Sequence, residues 1–420
     1  MLEDPDYRRW GYATSKTNMD DREQDAGTAY GLAAPSYNAD LTLVSASTAC
    51  GEFLRRYWHP IGVSADATDR PRPVRVLAED LILFRDGAGR PGLVYPRCIH
   101  RGTTLYYGRI EERGIRCCYH GWLFDFQGRC LEQPCEPAAG ERIRDRMRQP
   151  WYPVIEQYGL IFAYLGPPDR KPALPRYDIL EELEEGEHLE TDSTSIGSGG
   201  GVIVPCNWLQ HYENVMDPFH VPILHGSFSG AQFVAQMAII PEVTYQITER
   251  GVSSTQVRKL ENGQTFRRVT EVILPTLRVV PSPRVSRYGR AASIGWVLPI
   301  DDTSFRIYVA GRVREPGELR QQTSRFNGKR WSELTEEEHQ RLPGDYEAQT
   351  GQGPISFHSQ EHLASSDRGV AMLRRVLKQQ IEAVKSGNHP LGATFETTAA
   401  VVRTEAGNYL LENAAGVEEK

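Results

Sequence analysis

A run of cysteine and histidine residues constrains this chain more than any other part of its 420 residues. One residue separates Cys98 from His100, two separate Cys117 from His120, and sixteen residues lie between the two pairs. Two thiolates and two imidazoles on two short loops are the ligand set of a Rieske [2Fe–2S] cluster, in which two cysteines bind one iron and two histidines bind the other. A structural zinc ion accepts the same residue types, but zinc fingers pair cysteine with cysteine in the sequence. The alternation of cysteine and histidine therefore favours the cluster.

Three further cysteines lie close to this motif. Cys118 could replace its neighbour Cys117 as a ligand, but the spacing to His120 favours Cys117. We then expect Cys118 to be a small buried hydrophobic residue. Cys130 and Cys135 could form a disulfide, although free thiols in a reducing compartment are the simpler expectation.

A second candidate metal site lies further along the chain. His220 and His225 are five residues apart, and Asp217 precedes His220 by three. On an α-helix, three residues keep Asp217 on the face of His220, whereas His225 lies about 140° round from it. We expect a helix near 206–221 and a break at Pro222, between the histidines, that lets both reach one ion. Two histidines with one carboxylate and open positions are the ligand set of non-haem Fe(II) oxygenases.

With both motifs, the chain resembles the oxygenase (alpha) component of the Rieske non-haem iron aromatic ring-hydroxylating oxygenases. The second motif of that resemblance is Glu213-Asn214-x-x-Asp217-x-x-His220-x-x-x-x-His225. Three other segments, at 53–62, 295–303 and 359–377, are similar to the phthalate-dioxygenase-like and O-demethylase-like branch. The resemblance extends from about residue 45 to about residue 390.

The resemblance implies a role for each candidate metal ligand. The cluster would be held by the four residues of the first motif, Cys98, His100, Cys117 and His120. His220 and His225 would bind a mononuclear iron together with a carboxylate from a late helix. The closest match for that carboxylate is Asp345, because Glu347 would face away from it on a helix.

Two residues beside the iron ligands also receive roles from the resemblance. Asp217 would join His120 of one subunit to His220 of the next, across an interface in a ring of three subunits. A carboxylate that holds two metal-bound imidazoles fixes the orientation of both rings. Asn214 lies one turn from Asp217 and would sit near the iron without binding it.

The same resemblance implies an α+β fold with two structural domains. The first is a small, all-antiparallel Rieske [2Fe–2S] domain, and the second is a larger helix-grip catalytic domain, in which an antiparallel sheet packs against helices. Strand-like runs separated by glycine and proline turns agree with this organisation. We expect an N-terminal extension at 1–45, the Rieske domain at 46–168 and the catalytic domain at 169–420.

Two late helices are expected in the catalytic domain, at about 332–350 and 367–386. Asp367 opens the second helix and can cap it. Gly387 and Pro390 then end it. Apolar residues recur along it with a helical period, at Val370, Leu373, Val376, Leu377, Ile381 and Val384.

Composition excludes several classes of protein. The net charge of −7 argues against a nucleic-acid partner. No apolar run approaches the length that spans a membrane. The N-terminus is charged from its third residue, unlike a signal peptide, so we expect a cytoplasmic protein.

The chain has no G-x-G-x-x-G motif between a strand and a helix, so it is not expected to bind a dinucleotide itself. The resemblance implies that a separate NAD(P)H-dependent reductase, with or without a ferredoxin, supplies electrons. It also implies O₂ as co-substrate and a homo-oligomer of three subunits or a multiple of three.

The substrate is the least constrained part of the prediction. The resemblance implies an aromatic acid, and an arginine binds a carboxylate through two parallel hydrogen bonds. Arg278, on a strand-like run, is the candidate for this contact, and His211 and His358 are other polar candidates. We expect hydroxylation or oxidative O-demethylation, with cis-dihydroxylation as the alternative. An electron carrier or a sensor would be a different class of protein, but a carrier needs no second iron.

Overall fold

The computed structural model describes residues 29, 31–136, 141–194, 202–230, 232–284, 288–321, 329, 333–396 and 401–412. The predicted N-terminal extension, 1–45, lies mostly outside these residues. Its described part contains one short helix, α1 (Ala39–Thr42).

The first half of the chain forms three small antiparallel sheets. Its helices and strands, in chain order, are α1, α2 (Ala49–Leu54), β1 (Trp58–Val63), β2 (Arg72–Val76), β3 (Glu79–Arg85), β4 (Pro91–Val94), β5 (Arg109–Glu111), β6 (Gly114–Arg116), β7 (Leu123–Phe124), β8 (Cys130–Glu132), α3 (Glu141–Arg144), β9 (Trp151–Tyr152), β10 (Val154–Gln157) and β11 (Leu160–Tyr164). The strand orders are β1-β11-β10, β2-β3-β4-β9 and β5-β6-β7-β8. These short strands follow the predicted alternation of strand-like runs and turns.

The second half is built on one large antiparallel sheet. Its elements are α4 (Asp178–Glu181), β12 (His188–Thr194), α5 (Trp208–Asn214), a π-helix (Val221–Phe228), β13 (Glu242–Ile247), β14 (Gly251–Lys259), β15 (Thr265–Ile273), β16 (Leu277–Val279), β17 (Gly289–Arg290), β18 (Ser293–Asp301), β19 (Ser304–Val313), α6 (Glu318–Gln321), α7 (Glu336–Arg341), α8 (Asp345–Thr350), α9 (Arg368–Lys385) and β20 (Gly407–Leu411). The main strand order is β12-β19-β18-β16-β15-β14-β13, and β20 pairs with β15 and β17. Short 3₁₀ helices lie at Ser64–Asp66, Leu105–Tyr107, Pro168–Arg170, Ala235–Ala238, His358–Gln360 and Ser365–Asp367.

Helix α9 packs against one face of this sheet, which we call the inner face. On β14 the even-numbered residues are more buried than their neighbours, because alternate side chains of a strand point to opposite faces. Tyr245 on β13 lies on this face, opposite Ser254. A Cβ on Gly369 of α9 would lie 2.4 Å from the Tyr245 ring, so only glycine permits this close approach. The predicted α+β fold, with a helix held against an antiparallel sheet, is confirmed.

The predicted helix 367–386 is confirmed, and its six predicted apolar positions are all buried. Its capping differs from the expectation. Asp367 occupies the N-cap position, but its carboxylate accepts a hydrogen bond from the backbone N–H of Ala364 at 2.7 Å rather than from the helix. The carboxylate therefore closes the preceding turn.

The prediction of one helix over 206–221, broken at Pro222, is wrong. Helix α5 ends at Asn214, and a π-helix begins at Val221. Pro222 lies in the first turn of the π-helix, where a missing N–H leaves no helical hydrogen bond unmade. The interruption therefore falls before His220 and not between the two histidines.

The predicted helix 332–350 is two helices, α7 and α8. They are separated at Pro343 and Gly344. A proline disfavours helical backbone angles in the residue before it, and Leu342 has left the helical region, with φ −128° and ψ 50°. The second helix consequently starts at Asp345.

The tip of the β2–β3 hairpin joins the first half of the chain to the large sheet. Leu77 and Ala78 both have positive φ, at 49° and 65°. Their backbone N–H groups donate to the carbonyls of Pro299 and Ile300 on β18, at 3.0 and 2.8 Å. Main-chain hydrogen bonds thus connect the two halves.

Hydrophobic packing also crosses between the two halves. The larger cluster of buried residues runs from α2, β1 and β11 into the large sheet and α9. A smaller cluster lies wholly within the first half and includes Cys98 and Cys117. The division into domains at 46–168 and 169–420 stays a prediction.

The cysteines of the chain are all free thiols, including Cys130, which is buried, and Cys135, which is exposed. None of the described helices is long and apolar enough to cross a lipid bilayer.

Candidate metal centres

The two loops of the cysteine–histidine motif have the same backbone plan. In each loop the N–H of a glycine donates to the carbonyl of the cysteine four residues earlier, from Gly102 to Cys98 at 2.8 Å and from Gly121 to Cys117 at 3.1 Å. Both glycines have positive φ, 76° and 74°, which other residues rarely adopt. Two equivalent turns therefore present the two sulfurs.

The four side chains of the motif come together in pairs. Cys98 and Cys117 are buried and interact with each other. Burial, with the nearby sulfur of Cys117, raises the pKa of the Cys98 thiol to about 12, so a thiolate here needs a positive partner such as iron. The rings of His100 and His120 lie 4.5 Å apart, and Trp122 stacks on His100. Paired buried sulfurs beside paired imidazoles fit a [2Fe–2S] group.

Cys118 is exposed, so the expectation of a buried hydrophobic residue is wrong. The loop turns its side chain outward, whereas Cys117 belongs to the small hydrophobic cluster. Arg116 supports this loop, since it donates to the Gly121 carbonyl at 2.6 Å and pairs with Glu111 at 2.7 Å. Sequence reasoning missed Arg116, because it is not one of the cysteines or histidines that carry the motif.

The π-helix explains how His220 and His225 meet. Hydrogen bonds in a π-helix join residues five apart, so side chains with this spacing lie nearly above one another. His220 stands at the start of the π-helix and His225 within it. The two rings are 5.4 Å apart, with an angle of 71° between their planes. The π-helical winding, and not a break at Pro222, therefore brings the two histidine rings together.

Asp345 completes this group of three side chains. Its Oδ1 lies 3.5 Å from Nε2 of His220 and 3.2 Å from Nε2 of His225. One ligand atom from each residue lies within 4.8 Å of the others. Nε2 of His225 is buried, and its only polar neighbour among the described residues is this carboxylate oxygen of Asp345, as expected of two ligand atoms that face one ion. The group fits the two-histidine, one-carboxylate set that binds Fe(II) and leaves positions open.

The charge state of Asp345 agrees with this use. Burial alone raises the pKa of a carboxyl group, but the adjacent imidazoles of His225 and His220 outweigh burial here. They hold the pKa of Asp345 well below its usual range. The side chain is therefore a carboxylate at neutral pH, the form that binds a hard or borderline dication.

A second polar side chain lies beside Nδ1 of each histidine ring. Nδ1 of His225 lies 2.7 Å from Oε1 of Gln232, and Oδ2 of Asp217 lies 3.5 Å from Nδ1 of His220. Burial lowers the pKa of His220, but Asp217 and Asp345 outweigh it and raise that pKa above the usual value. Such partners fix the ring orientation and tautomer of metal-binding histidines. Sequence reasoning identified Asp217 but missed Gln232.

Gln232 also ties His225 to the chain that carries Asp345. Its Nε2 is 3.5 Å from the carbonyl of Pro343, two residues before Asp345. Ser229 donates to the same carbonyl at 2.6 Å. The loop after the π-helix thus holds the start of α8 in place.

Asn214 lies beside the metal-ligand group, and Glu347 lies away from it. Nδ2 of Asn214 lies 3.4 Å from Nε2 of His220 and 3.3 Å from Oδ1 of Asp345. Glu347 faces the other way, with its carboxylate 2.9 Å from Nδ1 of His339. The geometry favours Asp345 over Glu347 as the third ligand.

Two of the three substrate candidates lie beside this group. Arg278 and His211 are close enough to Asp345 and to each other to interact electrostatically. Burial, reinforced by the positive charge of Arg278, lowers the pKa of His211 to about 3, so this ring is neutral. Burial lowers the pKa of Arg278 to about 10, which leaves it cationic at pH 7.

Some polar atoms of these side chains have no hydrogen-bond partner among the described residues. Nδ1 of His211 is 3.1 Å from Oε1 of Gln349, on the same helix as Asp345. Nε2 of His211, Nε2 of Gln349 and Nε of Arg278 have no hydrogen-bond partner. Buried polar atoms normally have one, so their arrangement suits a polar ligand.

His358 does not join this group. Its Nδ1 accepts a hydrogen bond from the backbone N–H of Asn38 at 3.2 Å. Its charged neighbours are Arg374 and Glu361. The segment that carries it packs on the beginning of α1, so the structure does not support a substrate contact here.

Comparisons with known proteins identify the family to which the chain is similar. Residues 57–156 match the family described as the Rieske [2Fe-2S] domain. The chain is 51% identical over 390 residues to the phenoxybenzoate dioxygenase subunit alpha of Ectopseudomonas oleovorans, and the match covers 92% of this chain and 95% of that protein. It is 31% identical to the 5,5'-dehydrodivanillate O-demethylase oxygenase subunit of a Sphingobium species, over 84% of this chain and 81% of that protein.

Solved structures show the same fold. Dicamba monooxygenase bound to dicamba superposes with a TM-score of 0.58, at 16% sequence identity, over 80% of this chain and 100% of that chain. At this identity the similarity extends to the fold alone.

Proposed function

This chain belongs to the Rieske non-haem iron oxygenases as an oxygenase (alpha) subunit, and from that membership we propose that it oxygenates a carboxylated aromatic compound. Its cofactors are a Rieske [2Fe–2S] cluster and a mononuclear iron, with O₂ as co-substrate. As a terminal oxygenase it receives electrons from a separate reductase or ferredoxin.

We assign the two metal groups to the residues that converge on them. Cys98, His100, Cys117 and His120 hold the cluster, and His220, His225 and Asp345 hold the mononuclear iron. When bound, the cluster passes electrons one at a time, and the mononuclear iron supplies open positions for O₂ beside the substrate. Asp217 and Gln232 keep the Nε2 atoms of the two histidines turned toward the iron.

One observation carries the proposal of an anionic substrate. Arg278 is a buried cation beside the iron-ligand group, and its Nε has no partner among the described residues. A buried guanidinium gains most from a carboxylate, which accepts two parallel hydrogen bonds from it. We infer that Arg278 attracts the acid into the pocket and that His211 and Gln349 contact the substrate as neutral polar groups.

The relatives suggest two reactions. The 51% identical alpha subunit is named a phenoxybenzoate dioxygenase, so dioxygenation of an aromatic acid with an aryl ether is our first candidate. The 31% identical relative is named an O-demethylase, so oxidative O-demethylation of a methoxy-substituted aromatic acid is the second. Both reactions place an ether-bearing ring beside the iron.

A panel of aromatic acids tests this function. With a surrogate reductase, O₂ uptake should rise with phenoxybenzoates, and labelled oxygen should enter the product. Methoxybenzoates that release formaldehyde instead would favour O-demethylation. Arg278→Gln should weaken binding of the acids by roughly 10-fold, or about 1.4 kcal/mol, because it removes a buried positive charge that attracts the carboxylate. Uptake that is equal for the acids and for their neutral amides would contradict the proposal.

We further propose a homotrimer, or a multiple of three, in the cytoplasm. Within one chain, the carboxylate of Asp217 is 30% exposed, so it is available to a second imidazole. In the trimer that imidazole is His120 of the adjacent subunit. Asp217 would then join a residue that holds the cluster in one subunit to a residue that holds the iron in the next.

Substitution of Asp217 tests the path between subunits. Asp217→Asn should keep both metals but lower the rate of O₂ reduction by roughly 10- to 100-fold, the cost usual for a partner of a metal ligand. Iron content and single-turnover reoxidation of the cluster measure the two effects separately.

Mixing two inactive variants makes that test stricter. Cys117→Ser lacks the cluster and His220→Ala lacks the mononuclear iron, so a mixed oligomer contains some interfaces with both groups intact. We expect part of the activity to return in hybrids, with mixing verified by differential tags and mass measurement. A verified hybrid without any activity would contradict electron transfer between subunits.

A further inference from the structure

Two buried arginines lie on the inner face of the large sheet without an acidic partner. Arg258 on β14 is 1% exposed and Arg268 on β15 is 6% exposed. No carboxylate pairs with either residue in the part of the chain that the structure describes. Charged groups are rarely buried without a counter-charge, because desolvation is costly. The two arginines therefore lack a counter-charge among the described residues, and an anionic ligand would supply it.

The hydrogen bonds of the two guanidinium groups support this reading. Arg258 donates to the carbonyl of Ile239 at 2.9 Å and to Oε1 of Gln256 at 3.2 Å. Arg268 donates to the carbonyl of Pro281 at 2.6 Å and to Oδ1 of Asn408 at 2.9 Å. All these acceptors are neutral, so they satisfy donors without compensating the charge.

Both guanidinium groups also have N–H donors to spare. Each has five N–H groups, more than the neutral acceptors occupy. Burial lowers the pKa of Arg258 to about 10 and that of Arg268, with the repulsion of Arg258 added, to about 9. Both remain cationic at pH 7. Ser254, on the same face, is fully buried and its hydroxyl has no partner.

The pair is connected to the mononuclear site through the loop that follows the π-helix. Phe233 lies 4.4 Å from the ring of His225. A Cβ on Gly226, the residue after His225, would lie 2.9 Å from Cα of Ala238. The next residue, Ile239, accepts the hydrogen bond from Arg258. The same loop thus contacts both the iron ligand His225 and the guanidinium of Arg258.

The register of the sheet gives the separation between Arg278 and Arg268. Arg278, beside the iron ligands, is paired across the strands with Val272 of β15. Arg268 lies four residues from Val272 on the same strand and on the same face, which corresponds to roughly 13 Å between Cα atoms. That is on the scale of an aromatic compound with two rings.

We propose that Arg258 and Arg268 form a carboxylate-binding site at the far end of the substrate pocket, and that the pocket takes a two-ring aromatic acid with its reacting ring at the iron. This inference rests on the proposed function. The far-end pair, and not Arg278, then holds the carboxylate of the substrate. Arg278 attracts the acid by its charge alone, and the distance between the two ends selects the length of the substrate.

Equilibrium binding to the anaerobic holoenzyme tests the site without turnover. The probes are 3-phenoxybenzoate and its neutral counterpart 3-phenoxybenzamide, measured by calorimetry. Arg258→Gln and Arg268→Gln remove one charge each but keep a hydrogen-bond donor. We expect each to weaken binding of the acid by roughly 10- to 100-fold and to leave binding of the amide nearly unchanged.

Two further variants control for damage to the fold. Arg267→Gln changes the neighbouring residue on the opposite face of β15, where the guanidinium lies over Tyr409, and should bind the acid like the unaltered protein. Arg268→Lys keeps the charge and should recover part of the preference for the acid. A purely structural role would instead reduce binding of acid and amide together and would lower the unfolding temperature.

The outcomes separate this proposal from the proposed function. Unchanged binding of the acid in both glutamine variants, with loss only in Arg278→Gln, would overturn the far-end site and leave the proposed function standing. Failure of the unaltered holoenzyme to bind or oxygenate any aromatic acid would instead overturn the proposed function. A site for one-ring acids would show as equal affinity for benzoate and 3-phenoxybenzoate, which also contradicts the proposal.

Discussion

Alanine in place of His220, His225 or Asp345 should abolish oxygen-dependent turnover while the spectrum of the Rieske cluster survives. The three side chains converge within 4.8 Å, and each supplies one ligand atom. Removing any one leaves two ligands, too few to hold the ion in place. We expect turnover to fall by about three orders of magnitude or more, since metal stabilisation contributes several kcal/mol. Iron analysis should give about two irons per chain instead of three, the two that belong to the cluster.

Glu347→Ala is the matched control for this set. Glu347 lies on the same helix as Asp345, but its carboxylate contacts His339 and the start of the helix. This variant should keep its mononuclear iron and its activity, with a modest loss of stability. Retention of iron by Asp345→Ala together with loss from Glu347→Ala would show that we chose the wrong carboxylate.

Serine in place of Cys117 should remove the cluster, whereas serine in place of Cys118 should leave it intact. Cys117 is buried beside Cys98, and Cys118 is exposed on the outside of the loop. A hydroxyl group is a poor substitute for the thiolate that binds iron–sulfur clusters. Visible absorption, electron paramagnetic resonance of the reduced protein and acid-labile sulfide should all be lost in Cys117→Ser alone.

The mononuclear iron should remain in Cys117→Ser, because the two metal groups use separate residues. Turnover should nevertheless fall to background, since electrons no longer reach the iron. A cluster that persists in Cys117→Ser and disappears in Cys118→Ser would reverse the ligand assignment. Reconstitution of the unaltered protein with zinc alone would reject the cluster itself.

The sequence was most informative where chemistry and spacing act within a few residues. The motif of Cys98 to His120 requires only two short loops, and the glycines that shape them lie inside the motif. Strand-like runs separated by glycine and proline turns were also visible as local patterns. Both kinds of signal are local, so no knowledge of the tertiary structure was needed.

The geometry of the histidine pair was harder to predict. A spacing of five residues is unfavourable on an α-helix, and proline suggested a break between His220 and His225. The chain instead uses π-winding, which places residues five apart on one face. This winding is rare, and its stability depends on packing around it, so spacing alone favoured the wrong explanation.

Residues that belong to no motif could not be predicted. Gln232 reaches His225 through the fold of the loop after the π-helix, and Gln349 reaches His211 over 138 positions of sequence. Arg258 and Arg268 look like ordinary polar residues of two strands, and only the pairing of the strands shows that they share a buried face. Each belongs to no motif, and each becomes informative only when its surroundings are known.

The tip of the β2–β3 hairpin fixes the first half of the chain to β18 of the large sheet. Leu77 and Ala78 are fixed to Pro299 and Ile300 by backbone hydrogen bonds, which substitution of side chains does not remove. These bonds resist any movement of the first half of the chain, which carries the cysteine–histidine motif, relative to the large sheet. In the trimer that we propose, differences in the rate of electron transfer should therefore arise from the interface between subunits.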